Sequence, residues 1–380
     1  MNGVDWRGRA ARLSATVAAA AGVDPEWAVV FARVPRHLFV PRVYPSGEPG
    51  HVLDATTPDR WLDVVYSDTS LTTQCALTPG TEDLWQPTSS STRPSLMARM
   101  LTLLNARPGH RVLEVGTGTG YNAAILSHRL AADNVASIDI GPELVEAARA
   151  RLGQLGHHPA LATGDGAAGL AEHGPYDRII ATCAVTAIPP AWIRQLADDG
   201  VIVADLRGEL TSSLIAAHKQ PDGTAQGRLL DEPGHFMWLR KETNNPLRNG
   251  GELATRIDRD DARTRHASLH PATMNEPGLR SLIQLTAPEI GQIWTTQRDG
   301  RAILRVKGDH SAWADYDPAG RTVTQGGPID LFTLIEHAAA LWERIGKPSN
   351  RRYGLTASPD GDSTVWLDSP ENTVTTQSTR

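Results

Sequence analysis

The stretch that most restricts how this chain can fold is residues 111–122, RVLEVGTGTGYN. Val112, Leu113 and Val115 form strands readily, glycines follow at 116, 118 and 120, and a helix-capable run extends from Asn122 to Leu130. Strand, tight loop and helix in that order bring the free N–H groups of a helix start beside a backbone that glycine allows to take positive φ. A nicotinamide-type G-x-G-x-x-G fingerprint would need its third glycine at position 121, which is Tyr121. An oxidoreductase is therefore a distant third among the candidate functions.

The alternation continues beyond this unit. Twenty-five residues after Glu114, the run VASIDI ends with Asp139 and Ile140. A carboxylate at the tip of a second strand can accept from both hydroxyls of a ribose, although an acid just ahead of Pro142 also suits a helix cap. Asp165 and Gly166 close a third strand, YDRIIATCAV supplies a fourth ending near Thr182 and Cys183, and VIVADL a fifth. Residues 213–230 then read as strand, PDG turn and strand. The pattern predicts an α/β, doubly wound sheet finishing in an antiparallel hairpin, with ligands at the carboxyl ends of its parallel strands.

Alternating GTGTG with an acid two residues ahead of it resembles motif I of class I S-adenosylmethionine-dependent methyltransferases, which finish their sheets with such a hairpin. The resemblance implies S-adenosylmethionine as cofactor, with S-adenosylhomocysteine as product. It implies a binding set of Glu114, Gly116, Thr117, Gly118, Gly120, Tyr121, Asn122, Asp139, Ile140, Asp165, Gly166 and Thr182, with the adenine amine near Asp165.

Upstream, residues 5–33 read as two helices split at Gly22 and Val23, and Leu38, Phe39 and Val40 of VPRHLFVP as buried. Residues 44–61 look like a loop insertion, residues 63–74 a strand, and residues 79–93 a loop ending in Ser89, Ser90, Ser91 and Thr92 just before the helical run PSLMARMLTLL. The hydroxyl run suits a helix cap, but one cap needs one hydroxyl. The order VPRHLFVP, TRPSLMARMLTLL, RVLEVGTGTGYNAAIL resembles the protein-L-isoaspartate O-methyltransferases over roughly residues 5–235. In that family the residue two before the proline is usually serine and lies near the transferred methyl; here it is Thr92. The run from SSSTRPSL to DRIIATCAV is similar to actinobacterial paralogues that accompany ATP-grasp (graspetide) or lanthionine (lanthipeptide) enzymes.

That likeness implies a carboxyl O-methyltransferase that esterifies an ordinary aspartate in a ribosomally made peptide, with a succinimide or isoaspartate as product. Ser89, Ser90, Ser91 and Thr92 would orient the acceptor. The alternatives are protein repair at isoaspartate and a peptide-binding protein that keeps the fold without turnover. A carboxylate is already ionised at neutral pH, its pKa being about 4. Chemistry on it needs positioning and dryness and no general base.

With 380 residues, two domains are expected. The boundaries read as an N-terminal region at 1–104, the cofactor-binding core at 105–240, a charged linker at 241–265 and an accessory α+β domain at 266–380 that repair enzymes lack. Within the last part, strands around the RDG and KGD turns, a helix near 328–346 and a closing hairpin near 352–370 are expected. Nine of the ten tryptophans lie outside the span from first to fifth strand, where they suit either core or peptide contact.

A net charge of −6 asks for no nucleic-acid partner. The alanine run near the N-terminus is flanked by Asp5 and Asp24, so neither a signal peptide nor a membrane span is expected. Two cysteines, Cys75 and Cys183, suggest a reducing cytoplasm and no disulfide framework. His266 and His270 lack a metalloprotease-type pattern, no metal is expected, and a monomer is the default.

Overall fold

The computed structural model describes residues 5–78, 81–240, 261–267, 269–287, 289–298, 300–308 and 311–377. Residues 241–260, most of the expected linker, lie outside that set. At the centre is a ten-stranded sheet. From one edge to the other its strands are Ala160–Thr163, Val135–Asp139, Val112–Val115, Tyr176–Val185, Leu196–Arg207, Ser212–Lys219, Ala225–Leu229, Tyr353–Ala357, Ser363–Leu367 and Thr373–Gln377. The first five are mutually parallel and the others antiparallel, so the doubly wound sheet and its hairpin at 213–230 are both present.

Neighbouring side chains on a strand point to opposite faces, and each face here has its own apolar layer. Val112, Val135, Ile180 and Val203 join the N-terminal helices Trp6–Ala18, Pro25–Arg33 and Pro94–Leu104 on one side. Leu113, Ala136, Ile179 and Ile202 join the C-terminal part of the chain on the other. Burial of every residue of VLEV and VASID follows from this two-sided cover.

The chain order reverses at Val112–Val115, whose neighbours are the later strands Val135–Asp139 and Tyr176–Val185 on either side. A crevice opens at the carboxyl ends of the strands at such a switch point.

The structure departs from the sequence reading in two regions. Residues 44–61 are not a bare insertion: Arg42–Val43 pairs with Leu53–Asp54, and a helix covers Pro58–Val65. Trp61, Leu62 and Val65 share the buried face of that helix, so 63–65 are helical and the strand starts only at Leu71. Residues 79–93 are not a loop throughout either, because Trp85–Ser91 is a strand paired antiparallel with Leu71–Leu77. Serine favours turns by propensity, and cross-strand partners override that preference here.

The second departure is at the C-terminus. Tyr353–Ala357 pairs with Ala225–Leu229, so the last three strands extend the central sheet. A separate five-stranded sheet runs in the order Arg263–His266, Thr322–Gly326, Trp313–Asp317, Arg301–Gly308, Ile290–Arg298, its first strand beginning inside the expected linker. The helix Leu331–Arg344 buries Leu331, Ile335, Ala338, Ala339 and Trp342, a helical stripe, against this sheet and the helix Pro277–Thr286. The boundary drawn at 265/266 therefore does not separate two independent sheets.

Most tryptophans are core: Trp27, Trp61, Trp192, Trp313, Trp342 and Trp366 are buried, while Trp85 and Trp294 are exposed. Among the described residues no helix is long and apolar enough to cross a membrane.

Candidate active site

The glycine loop forms one wall of a cleft at the switch point. Gly116, Gly118 and Gly120 all have positive φ, at 99°, 50° and 86°. Their surroundings differ. A Cβ at Gly116 would lie 2.7 Å from Thr182 Oγ1, and one at Gly120 2.8 Å from Ala148 Cβ, so both positions are closed by packing. At Gly118 a Cβ would meet nothing nearer than Ser89 Oγ and the Ser90 carbonyl, both at 3.8 Å. Gly118 therefore keeps open the gap between the glycine loop and the hydroxyl strand.

Behind the loop is a buried polar knot. Glu114, fully buried, accepts from Ser137 Oγ at 2.6 Å and Asn122 Nδ2 at 2.8 Å. Ser137 Oγ also lies 2.6 Å from Thr117 Oγ1. Thr182 Oγ1 donates to the Gly116 carbonyl at 2.7 Å. These side chains fix the shape of the loop from beneath. Desolvation raises the Glu114 pKa to about 7.

The folded state thus holds the Glu114 proton up to about pH 7, whereas an ordinary glutamate releases it near 4.5. It binds more protons than the unfolded chain between those values, so its stability falls as pH rises through that window. The contribution is complete below about 4.5 and lost above about 7. Glu114→Gln is expected to flatten this limb, by up to about 3 kcal/mol. Urea midpoints of the two proteins from pH 5 to 8 check it.

Asp139 sits at the carboxyl end of its strand as anticipated. Its Oδ2 accepts from Gly118 N–H at 2.8 Å and its Oδ1 from Gly141 N–H at 3.0 Å, leaving a lone pair on each oxygen for a diol. Ile140 and Gly166 line the cleft beside it. Asp165 does not line the cleft; it caps the short turn Gly166–Ala168 by accepting from Ala167 N–H at 2.8 Å. Tyr121 and Asn122 reach the cleft from the helix start. Tyr121 OH and Asn122 Oδ1 are buried polar atoms without a hydrogen-bond partner among the described residues. A polar ligand in the cleft would satisfy them.

The hydroxyl strand is the opposite wall. Ser89, Ser90, Ser91 and Thr92 all line the cleft, but strand alternation divides their roles. Ser91 Oγ is turned to the buried Arg36, accepting from Nη2 at 3.2 Å, and Ser89 Oγ lies 3.2 Å from Thr73 Oγ1. Among the described residues neither Ser90 Oγ nor Thr92 Oγ1 has a hydrogen-bond partner, and both residues are half-buried. None of the four caps the helix Pro94–Leu104. Asp68 Oδ1 accepts from Ser95 N–H at 2.8 Å, and Ser70 Oγ from Arg93 N–H at 3.1 Å.

One part of the site had no counterpart in the sequence reading. After Ala225–Leu229 the chain turns back as a strap, residues 233–240, across the mouth of the cleft, and Phe236, Met237, Trp238, Leu239 and Arg240 line it. Ala184 N–H donates to Met237 O and Leu239 N–H to Ala184 O, both at 2.8 Å. The buried Asp205 pins the strap: it accepts from Phe236 N–H and from Ser212 Oγ, which itself accepts from the N–H groups of Gly234 and His235. Arg207 donates to the Phe236 carbonyl and stacks over Trp238. The apolar run FMWL after the hairpin was the one available signal.

The cleft and the open solvent at its mouth together enclose about 930 Å³. Among the described residues no histidine or lysine lines the cleft. Cys183 lines it, with burial pushing its thiol pKa up. Both cysteines are free thiols. Among the described residues no group of three or more His, Cys, Asp or Glu could hold a metal ion. His270 Nδ1 accepts from Ala272 N–H in a local turn.

The family profile of protein-L-isoaspartate(D-aspartate) O-methyltransferase (PCMT) matches residues 57–236. Protein-L-isoaspartate O-methyltransferase 2 of Polaromonas sp. is 34% identical over 208 residues, 54% of this chain and 84% of that protein. Protein-L-isoaspartate O-methyltransferase of Serratia proteamaculans is 43% identical over 129 residues, 34% of this chain and 61% of that protein. A solved structure of a protein-L-isoaspartate O-methyltransferase superposes with a TM-score of 0.55 at 22% identity, covering 94% of this chain and 99% of its own. The fold of the C-terminal region is thus shared with a protein of that name. One protein of that name therefore carries such a region, so the region by itself does not set this chain apart from the family.

Proposed function

Because this chain belongs to the protein-L-isoaspartate O-methyltransferase family, we propose that its cleft transfers a methyl group from S-adenosylmethionine to an isoaspartyl carboxylate in a protein or peptide. One observation carries the reading: the glycine loop with Asp139 and the hydroxyl strand with Thr92 face each other across a single cleft. Asp139 would grip the ribose, Gly116, Gly118 and Gly120 would let the cofactor close on the loop, and Ile140 and Gly166 would flank the base. Bound there, the cofactor supplies an electrophilic methyl group on a sulfonium.

Ser90 and Thr92 would hold the acceptor carboxylate by donating hydrogen bonds that orient it without the strong ion pair that would stabilise the ground state. No side chain has to remove a proton from a carboxylate, and the cleft matches that economy. Glu114 is occupied by Ser137 and Asn122, and Asp139 by two backbone N–H groups.

A second reading is an ordinary aspartate in a ribosomally made peptide, esterified and then closed to a succinimide by the following backbone nitrogen with loss of methanol. It is favoured by Thr92 standing where the family usually has serine, and by the likeness of the SSST run to the peptide-modifying paralogues. The C-terminal region does not favour either reading, since its fold is shared with a protein-L-isoaspartate O-methyltransferase. A reducing cytoplasm belongs to either reading.

Mass spectrometry separates them. The protein and S-adenosylmethionine are incubated with an isoaspartyl peptide, its aspartyl counterpart, and precursor peptides from neighbouring genes. Methyl gain on the isoaspartyl peptide supports the first reading, and methyl gain followed by methanol loss on ordinary aspartate alone supports the second. S-adenosylhomocysteine binding without transfer to any of these peptides would favour a non-catalytic binder.

Thr92→Ala is expected to lower kcat/KM by about ten- to a hundredfold, the usual scale for an orienting hydrogen bond. S-adenosylhomocysteine affinity and the thermal midpoint should be unchanged. Ser91→Ala should instead lower the midpoint, because Arg36 loses an acceptor. Steady-state kinetics, calorimetry and thermal scans of the two variants test the division.

A further inference from the structure

The strap carries a positive charge into the acceptor side of the cleft. Among the described residues lining the cleft, Arg240 is the only lysine or arginine. Its Nη2 donates to the Thr88 carbonyl at 3.3 Å, on the hydroxyl strand and not on the glycine loop. Among the described residues it has no other hydrogen bond and no carboxylate within ion-pair distance. Other arginines nearby are engaged: Arg36 with backbone carbonyls, Arg99 with Glu232, Arg207 with Phe236 and Trp238.

We propose that Arg240 is a specificity-determining residue that recognises a second carboxylate on the substrate, so that the preferred substrate is an acidic peptide whose acceptor residue has an Asp or Glu a few positions away. The inference rests on the proposed carboxyl methylation. Spacing supports it. Thr88 lies four residues before Thr92, roughly 13 Å along an extended strand at about 3.3 Å per residue. An extended peptide beside that strand spans the same distance in about four residues. A guanidinium held on the Thr88 carbonyl is offset along the strand from Thr92, and that offset suits a second anion of the same peptide. It presents a planar fork of donors that matches a carboxylate, and the surrounding strap and strand partly shield it from water. The strap itself is anchored by Asp205 and Ser212, so the charge is held in place.

The test uses the full chain and isoaspartyl and aspartyl peptides carrying Glu, Gln or Lys at one to five positions on either side of the acceptor. Binding is read by fluorescence anisotropy in the presence of S-adenosylhomocysteine, and methyl transfer by mass spectrometry. The wild type is expected to prefer Glu over Gln by about tenfold at an offset of three or four. Arg240→Gln should abolish that preference, and Arg240→Glu should turn it toward Lys, while calorimetric S-adenosylhomocysteine affinity stays within about twofold in both variants.

Three results would overturn the assignment: the same preference in wild type and Arg240→Gln, no binding of any of the peptides, or a tenfold loss of S-adenosylhomocysteine affinity, which would give Arg240 to the cofactor. Anisotropy showing an Arg240-dependent preference with no methyl transfer at all would sink the proposed reaction and leave the recognition standing.

Discussion

Gly118→Val is expected to remove measurable cofactor binding. Gly118 has φ of 50°, where a β-branched side chain is strained. Its missing side chain would point into the gap between the glycine loop and the hydroxyl strand, with Ser89 Oγ and the Ser90 carbonyl 3.8 Å from the Cβ position. The space is free of protein, so the chain can still fold with valine there; what is lost is room for the ligand. Strain and occlusion together should weaken S-adenosylhomocysteine by at least about a hundredfold, or about 3 kcal/mol. Gly118→Asn separates the two causes, since asparagine tolerates left-handed backbone but still fills the gap. Calorimetry on both variants, with circular dichroism for the fold, decides it. Retained affinity in Gly118→Asn would mean that strain alone was at work, and retained affinity in both would remove this loop from the binding site.

Arg36→Met should have the largest effect on stability. Arg36 is wholly buried and donates to the carbonyls of Val65, Ser67, Thr69, Ser91 and Thr92 at 2.9–3.3 Å. Its guanidinium also lies over the Tyr121 ring, 5.7 Å from the centroid. Burial depresses its pKa to about 10, which still leaves it charged at neutral pH. Methionine fills much of the volume but strands five acceptors, and leaving such groups unpaired costs about 1–3 kcal/mol apiece before relaxation. Water entry and local movement reduce the sum, and a net loss of about 4 kcal/mol is expected. Arg36→Lys keeps the charge without the planar fork, so it should recover only part.

Activity should fall further than the folded fraction, because Arg36 fixes the backbone that carries Ser91 and Thr92. Chemical denaturation with parallel kinetics reads both effects. A midpoint within error of wild type would show that the carbonyls find other donors.

These two residues mark how far the sequence could be read. Gly118 was legible because local chain geometry determines it: strand, alternating glycines and helix start lie within one short stretch. The parallel strands were legible for the same reason, each holding a short apolar run, although the third ends at Thr163 and the fourth continues to Val185, away from the expected ends at Gly166 and near Thr182. Arg36 was illegible because its acceptors come from segments far apart in the chain. In sequence it is one basic residue beside His37 in an otherwise apolar run, VPRHLFV. The strand carrying Ser89–Ser91 was hidden because serine has turn propensity, and its pairing partner is visible only once Leu71–Leu77 is in place.

Asp165 was legible as an acid just after a strand, but it stands outside the cleft lining with its Oδ1 on Ala167 N–H, a partner two residues away that the pattern cannot weigh against a ligand. The strap was missed because its contacts with Ala184 and Asp205 are tertiary.

The final strands give the sheet a history as well as a shape. Ala225–Leu229 leaves the ribosome long before Tyr353–Ala357, the partner that covers its outer edge. During that interval the nascent methyltransferase half displays a row of unpaired backbone donors and acceptors, the kind of edge that recruits other chains. Arrival of the Tyr353–Ala357 strand closes it, so a segment synthesised much later serves as the chain's own protection against self-association.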